Sequence, residues 1–160
     1  MKRVLLYSLA ILSIVFSSCD GIIPMVMADA DSIDLQIFIK DATGANLIEQ
    51  HKLDDMKISA TFKGEVYELK FADAKVYLPI FYGFKVASRG NGEFLYFGEL
   101  DGTDNFNDNF VIHWGDGTMD VITIYNNCKI RSNGAYRIKR HYLVNGVKSD
   151  GNQITLIKNF

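Results

Sequence analysis

The stretch IDLQIFIK, residues 33–40, decides the fold class of this chain. Apolar and polar residues alternate strictly along it, and successive side chains of a β-strand point to opposite faces. The pattern therefore predicts a half-buried strand. The apolar row is Ile33, Leu35, Ile37 and Ile39, and the polar row is Asp34, Gln36 and Lys40.

Alternation of the same kind continues along the rest of the chain. MKISATFK (56–63) and EVYELKF (65–71) repeat it, with Gly64 turning the chain between them. Turn signals recur at short intervals, and Asn145-Gly146 is the strongest hairpin signal because both residues tolerate a positive φ. No later segment of 12 or more residues keeps a helical period. The sequence predicts one all-β, antiparallel sandwich over residues 33–160. Further strands are predicted in AKVYLPI, FKVAS, EFLYFGEL, NFVIHW, MDVITIY, AYRIKRHYLV and QITLIK.

The segment ANLIEQHKLDDM, residues 45–56, breaks this pattern. It lacks strand alternation, so we expect a crossover loop with room for one helical turn.

The first residues have the layout of a secretory signal peptide. Lys2 and Arg3 precede thirteen largely apolar residues, 4–16, and small residues follow. This apolar run is shorter than the roughly 18 residues that indicate a membrane-spanning helix. We therefore expect residues 1–18 to direct export and to be removed.

Cys19 is the candidate lipidation site. It directly follows Phe16-Ser17-Ser18, which resembles a bacterial lipobox with Phe16 where Leu is usual. In such signals the cysteine becomes the first mature residue and is acylated, and each buried methylene contributes about 0.8 kcal/mol to membrane binding. The membrane is thus the expected partner, with residues 19–32 as a tether or an edge strand interrupted by Pro24. The alternative is a cysteine that merely lies near a cleavage site.

Charge and cysteine content exclude some classes of protein. A mature chain of 142 residues has 15 basic and 19 acidic residues, hence a formal charge of −4. No basic stripe is evident in the sequence, so we do not expect a nucleic acid partner. If Cys19 is acylated, Cys128 has no disulfide partner; it is interpreted as a small apolar residue or, alternatively, as a nucleophile.

Several stretches together resemble small secreted lipoproteins of Bacteroides-type bacteria. The resemblance implies an immunoglobulin-like sandwich, a lipid anchor and no assigned activity. It also implies the outer membrane, because surface-export signals in these proteins favour acidic residues such as Asp20 behind the cysteine. Whether the protein faces the periplasm or the exterior stays open. The stretches are IFIKDATGANLIEQ, ISATFKGEVYELK, LPIFYGFKV, FLYFGELDG, VIHWGDGTMDVITIY and YLVNG followed by ITLIK.

The acidic loop DGTDNFNDN, residues 101–109, contains candidate calcium ligands in Asp101, Asp104 and Asp108. An EF-hand starting at Asp101 would need glycine at its sixth position and a carboxylate at its twelfth, where Phe106 and Ile112 stand. An irregular calcium site and a solvated polar loop remain the two interpretations. No cofactor is predicted.

Two carboxylates flank the GDGT turn that follows Trp114. Asp116 and Asp120 are candidates for acid and base catalysis, although Asp and Gly are also what a tight turn selects. The histidines are His51, His113 and His141, and no two stand at a metal-ligand spacing. We do not expect an enzyme.

Aromatic residues suggest one binding hypothesis. Phe81, Tyr82 and Tyr96 lie in clusters of aromatic residues, and exposed together they would stack on sugar rings or clamp a peptide, so the expected partners besides the membrane are a glycan or an envelope protein. Packing in the sandwich core is the alternative.

These observations predict a non-catalytic, lipid-anchored cell-envelope protein that acts as an interaction or structural module. The alternatives are a glycan-binding accessory lipoprotein at the cell surface and a hydrolase that uses Asp116 or Asp120.

Overall fold

A computed structural model describes residues 32–70 and 83–160. Within these residues the chain forms ten strands and no helix. The predictions on residues 1–31 and 71–82, which include the signal peptide, Cys19, Phe81, Tyr82 and the whole AKVYLPI strand, lie outside the described residues. The strands are β1 (Ile33–Lys40), β2 (Ser59–Phe62), β3 (Glu65–Glu68), β4 (Gly83–Arg89), β5 (Gly92–Leu100), β6 (Phe106–His113), β7 (Met119–Ile130), β8 (Tyr136–Val144), β9 (Val147–Ser149) and β10 (Gln153–Ile157).

The strands form two sheets that pack face to face as a β-sandwich. One sheet has four strands in the order β10-β1-β5-β4, and the other has six in the order β3-β2-β6-β7-β8-β9. The all-β prediction is confirmed. The expectation of a wholly antiparallel sandwich needs one correction, because β10 pairs with β1 in parallel. The chain can reach this position because the last strand follows a long path through the second sheet.

The inward row of β1 is confirmed, but the strand is not half-buried as predicted. Ile33, Leu35 and the two isoleucines that follow in this row are 0% exposed. Gln36 and Phe38, on the other face, are buried as well. Since β1 lies between two neighbours, its outer side chains contact those of adjacent strands: the Phe38 ring lies 5.3 Å from that of Phe94, and the Gln36 Oε1 accepts a hydrogen bond from Gln153 at 3.3 Å.

An aromatic cluster fills the space between the sheets. Phe97 on β5 and Phe110 on β6 meet across it with ring centroids 4.4 Å apart. Phe84 lies 5.6 Å from Phe110, and Phe62 lies 5.4 Å from Phe97. Aromatic side chains bury large apolar areas and gain from tilted and edge contacts. Phe110, Ile112 and Trp114 alternate along the strand predicted in NFVIHW, and all three are buried.

Two hairpin turns use residues with positive φ. Asn145 and Gly146 join β8 to β9 with φ of 49° and 83°, which confirms the predicted hairpin. Lys63 and Gly64 join β2 to β3 in the same way, with φ of 49° and 82°. Positive φ at both central residues matches the twist of the flanking strands.

The predicted crossover loop leads from β1 in one sheet to β2 in the other and contains turns without a helix. Leu47, Ile48 and Leu53 from this loop are buried in the core. They close the sandwich at that end, which explains why the loop is more apolar than an ordinary connection.

The two sheets are also joined at one edge. Just after β3, the amide of Lys70 donates to the carbonyl of Phe84 on β4 at 3.0 Å, and the amide of Val86 donates to the carbonyl of Lys70 at 3.0 Å. Backbone hydrogen bonds thus connect the end of the β2–β3 hairpin to the first part of β4, the edge strand of the four-stranded sheet.

We predict that Gly98→Ala destabilises the fold. A Cβ at this position on β5 would lie 2.9 Å from the Cβ and 3.0 Å from the Cα of Asp34 on the adjacent strand. Relieving this overlap must move backbone, so thermal unfolding should show a loss of about 1–3 kcal/mol. Gly90→Ala is the matched control, since no atom lies within 4 Å of its added Cβ. Equal melting temperatures for both variants would contradict the close approach of β1 and β5.

Candidate functional site

The outer side of the β7–β8 hairpin carries a cluster of cations. Alternation along β7 turns Ile122, Ile124 and Cys128 inward, so the residues between them face away from the core. The antiparallel register then places the outward residues of the two strands directly opposite each other. We define the basic face as six of these residues: Tyr125, Asn127 and Lys129 on β7, and Arg137, Lys139 and His141 on β8.

Charge is distributed unevenly along the chain. Residues 121–149 contain six lysines and arginines and no aspartate or glutamate. The rest of the chain then has eleven basic and nineteen acidic residues, a formal charge of −8 against +6 for this segment. No outward position on the described strands β6, β7, β8 and β9 carries a carboxylate. The premise that the chain has no basic stripe is therefore wrong; the expectation of no nucleic acid partner stays a prediction.

The cations of the basic face have no acidic partners among the described residues. The ion pairs among the described residues involve His51, Lys63 and Lys158, and none of these three belongs to the basic face. Lys129 pairs in register with Arg137, and like charges placed directly opposite on a sheet destabilise it. The pairing of Lys129 with Arg137 is therefore not explained by the stability of the sheet.

A shallow groove lies between the charged side chains. Asn127, Lys129, Arg137 and Lys139 line it, and its volume is about 90 Å³. At the next outward pair of residues, the rings of Tyr125 and His141 stack with centroids 4.4 Å apart and an angle of 12° between their planes. The aromatic pair thus lies on the same face as the groove and next to it in the register.

Uncharged polar groups on β6 border the Tyr125–His141 pair. Asn107 lies opposite Tyr125 in the register, and Asn109 accepts a hydrogen bond from the Thr123 hydroxyl at 2.8 Å. The surface therefore presents amides, aromatic rings and cations side by side.

A second cluster centres on Asp120, which is buried at the other end of β7. Its Oδ2 accepts a hydrogen bond from the indole of Trp114 at 2.7 Å and pairs with Lys158 at 2.6 Å. Its Oδ1 accepts from the side-chain amide of Asn145 at 2.8 Å. The Trp114 ring also lies 5.4 Å from Phe160. Because Lys158 and Phe160 follow β10, this cluster fastens the end of the four-stranded sheet to the six-stranded one.

The electrostatics of Asp120 favour its charged form. Burial opposes ionisation, but the hydrogen bonds from Lys158, Asn145 and Trp114 outweigh it and hold the pKa below the ordinary value of 3.8. Asp116 is exposed; hydrogen bonds from the amide and hydroxyl of Thr118 lower its pKa as well. Both candidate catalytic carboxylates are therefore ionised and held in structural hydrogen bonds.

The candidate calcium ligands point to separate partners. Asp101 accepts hydrogen bonds from the amide and hydroxyl of Thr103, at 2.8 Å and 2.7 Å, and these bonds lower its pKa. Asp108 lies 4.0 Å from the Lys63 ammonium. Asp104 lines an open cavity of about 300 Å³ together with Asp101 and Lys63, so a lysine occupies the position next to these carboxylates. In the described ranges, no three His, Cys, Asp or Glu side chains are grouped to hold a metal ion.

The same loop is fastened to β7 by amide groups that the sequence did not single out. The buried Asn126 donates to the carbonyls of Gly102 and Asp104, at 2.9 Å and 2.5 Å. Asn105 accepts from the amide of Cys128 at 2.6 Å. The loop therefore covers the inner side of the hairpin, and Cys128 is buried beneath it.

The remaining candidates lie apart from the basic face. Tyr96 is half-buried on β5 in the other sheet, with its ring 6.5 Å from Phe94 and 5.6 Å from the Lys85 ammonium. His51 is exposed in the crossover loop, and His113 lies 3.0 Å from the Thr61 hydroxyl.

Sequence reasoning missed the basic face because it interpreted AYRIKRHYLV only as a strand. The available signal was the absence of any acidic residue between Asp120 and Asp150.

Comparison with protein-family models, curated proteins and solved structures finds no match for this chain.

We predict that Asp120→Asn lowers the free energy of unfolding by about 2 kcal/mol, because the ion pair with Lys158 is lost. Since the folded pKa of Asp120 is lowered, its contribution is complete above roughly pH 5 and is lost as the pH falls through 3.8 and then through the folded pKa. The difference in free energy of unfolding between the wild type and Asp120→Asn should therefore narrow as the pH falls over that range. Emission from Trp114, the single tryptophan, reports unfolding.

Asp116→Asn is the matched control. It removes the same charge from an exposed turn, and an asparagine oxygen still accepts the turn's hydrogen bonds. A loss of stability equal to that of Asp120→Asn, or one independent of pH, would contradict the role assigned to Asp120.

Proposed function

We propose that this protein is a non-catalytic, lipid-anchored module of the cell envelope that acts by binding another molecule. The observation that carries the proposal is the basic face, an exposed group of cations with no acidic partners among the described residues. A purely structural module would gain nothing from Lys129 opposite Arg137. Binding a negatively charged partner gives these residues a role.

The state of the candidate catalytic carboxylates supports a non-catalytic role. A general acid needs a carboxyl group with a raised pKa, whereas the pKa values of Asp116 and Asp120 are lowered. The hydrolase alternative is therefore less well supported.

The anchor is proposed from the sequence. Acylation of Cys19 would attach the chain to a bilayer, and two or three acyl chains bind durably. Residues 20–32 would then connect the lipid to β1, a reach of at most about 45 Å at roughly 3.4 Å per residue. No helix among the described residues is long and apolar enough to cross a membrane.

The finer assignments follow the resemblance to lipoproteins of Bacteroides-type bacteria. We propose the outer membrane as the location and an immunoglobulin-like type for the sandwich. The glycan-binding alternative is favoured by one observation, the stacked Tyr125–His141 pair beside polar amides, which lies on a different surface from Tyr96.

We predict that the native protein, extracted from membranes, has a mass that corresponds to a chain starting at Cys19 with added acyl groups. The measurement is intact mass spectrometry, with Cys19→Ala as the variant that should lose both the added mass and the membrane association. Cys128→Ala is the matched control and should retain both. An unacylated chain cut at another position would contradict the anchor.

A further inference from the structure

We propose that the basic face binds an acidic polysaccharide, a polymer of sugar rings that bear carboxylate groups. The inference rests on the proposed interaction function and names the chemical class of the partner.

The spacing of the cations suits a polymer with repeated charges. Arg137 and Lys139 stand two residues apart on β8, roughly 7 Å along the strand. Lys129 lies across from Arg137 on β7. The three exposed cations therefore line the groove from both strands, two of them opposite each other and the third about 7 Å further along, so that neighbouring carboxylates of a chain can each meet a cation. Arginine adds bidentate recognition of a carboxylate.

The groups next to the cations suit sugar hydroxyls and ring faces. Asn127 lines the groove and Asn107 lies beside the neighbouring aromatic pair, and amides both donate and accept hydrogen bonds. The Tyr125–His141 pair offers an apolar ring surface with polar tips. Sugar-binding sites need this combination, since each ring presents both hydroxyl groups and apolar C–H edges.

Other polyanions fit this surface less well. Affinity for nucleic acid or an anionic bilayer comes mainly from the number of cations, and either partner would make little use of the amides between them. The exposed apolar residues that adjoin the cations in sequence, Ile130 and Tyr136, pair with each other in the inward rows of β7 and β8 and do not extend the basic face. A shallow groove with mixed polar groups therefore favours a polysaccharide.

The test is a binding titration with the full mature protein, kept in non-ionic detergent for the soluble polymers and diluted below the critical micelle concentration before it is added to vesicles. The probes are polygalacturonate, uncharged dextran and double-stranded DNA. Vesicles of phosphatidylglycerol are compared with vesicles of phosphatidylcholine, so that insertion of the acyl anchor contributes equally to both. We expect polygalacturonate to bind, dextran to bind at least tenfold more weakly, and the affinity to fall with added salt.

The decisive variant is Lys129→Gln/Arg137→Gln/Lys139→Gln, which should weaken polygalacturonate binding about tenfold or more. The matched control is Lys52→Gln/Lys57→Gln/Arg89→Gln, which removes the same charges from exposed positions elsewhere and should change binding less than about twofold. Emission from the buried Trp114 verifies that both variants are folded.

Several results would overturn the inference. Equal weakening in both triple variants would show a dependence on net charge alone. Tighter binding to DNA or to phosphatidylglycerol vesicles would assign the face to that partner. Equal binding of dextran and polygalacturonate would overturn the acidic ligand and leave the binding function standing. Binding of none of the probes, with a mass that still shows acylation, would overturn the ligand class and leave the anchor standing.

Discussion

The register of β7 is the constraint on which both the core and the basic face depend. This strand lies in the middle of the six-stranded sheet and pairs with β6 through Phe110 and Ile122 and with β8 through Ile124 and Tyr142. Those pairs put apolar side chains between the sheets and leave the intervening residues to solvent. A slip of one residue would exchange the two rows, exposing the core and burying Lys129.

Two buried polar residues fix that register more strictly than apolar packing can. Asp120 lies at one end of the inward row and is bonded to Trp114, to Asn145 of the β8–β9 turn and to Lys158 near the end of the chain. Asn126 lies towards the other end and is hydrogen-bonded to the 101–105 loop and to Arg140. A buried polar group without a partner is costly, so a shifted strand would lose both sets of hydrogen bonds. Ile122 and Ile124 lie between these two polar residues, and their side chains could pack against apolar neighbours in more than one register. The polar ends therefore specify the position, and the apolar centre supplies most of the burial.

Prediction from sequence succeeded where the controlling interactions are local. Alternation located β1, β2, β6 and β7, and the Asn145-Gly146 turn follows from the conformational freedom of two adjacent residues. Contacts between distant residues could not be predicted: Asp120 meets Lys158, and β10 joins β1 in parallel. The burial of the outer side of β1 was not predicted for the same reason, because alternation identifies the two rows of one strand but not the strands beside it. For the same reason the cations of β7 and β8 were not recognised as one surface.

Charge is distributed unevenly over this sandwich, with the basic face on one outer surface. One segment of 29 residues has a formal charge of +6 and places three of its cations on the basic face, whereas the rest of the chain is acidic. The acidic remainder would repel a polyanion, which would restrict its binding to the basic face. The most direct measurement of this assignment is a map of backbone amide chemical-shift changes on addition of an oligogalacturonate. We expect the changes to cluster at residues 125–129 and 137–141; changes centred on Tyr96 in the four-stranded sheet, or none at saturating concentration, would contradict it.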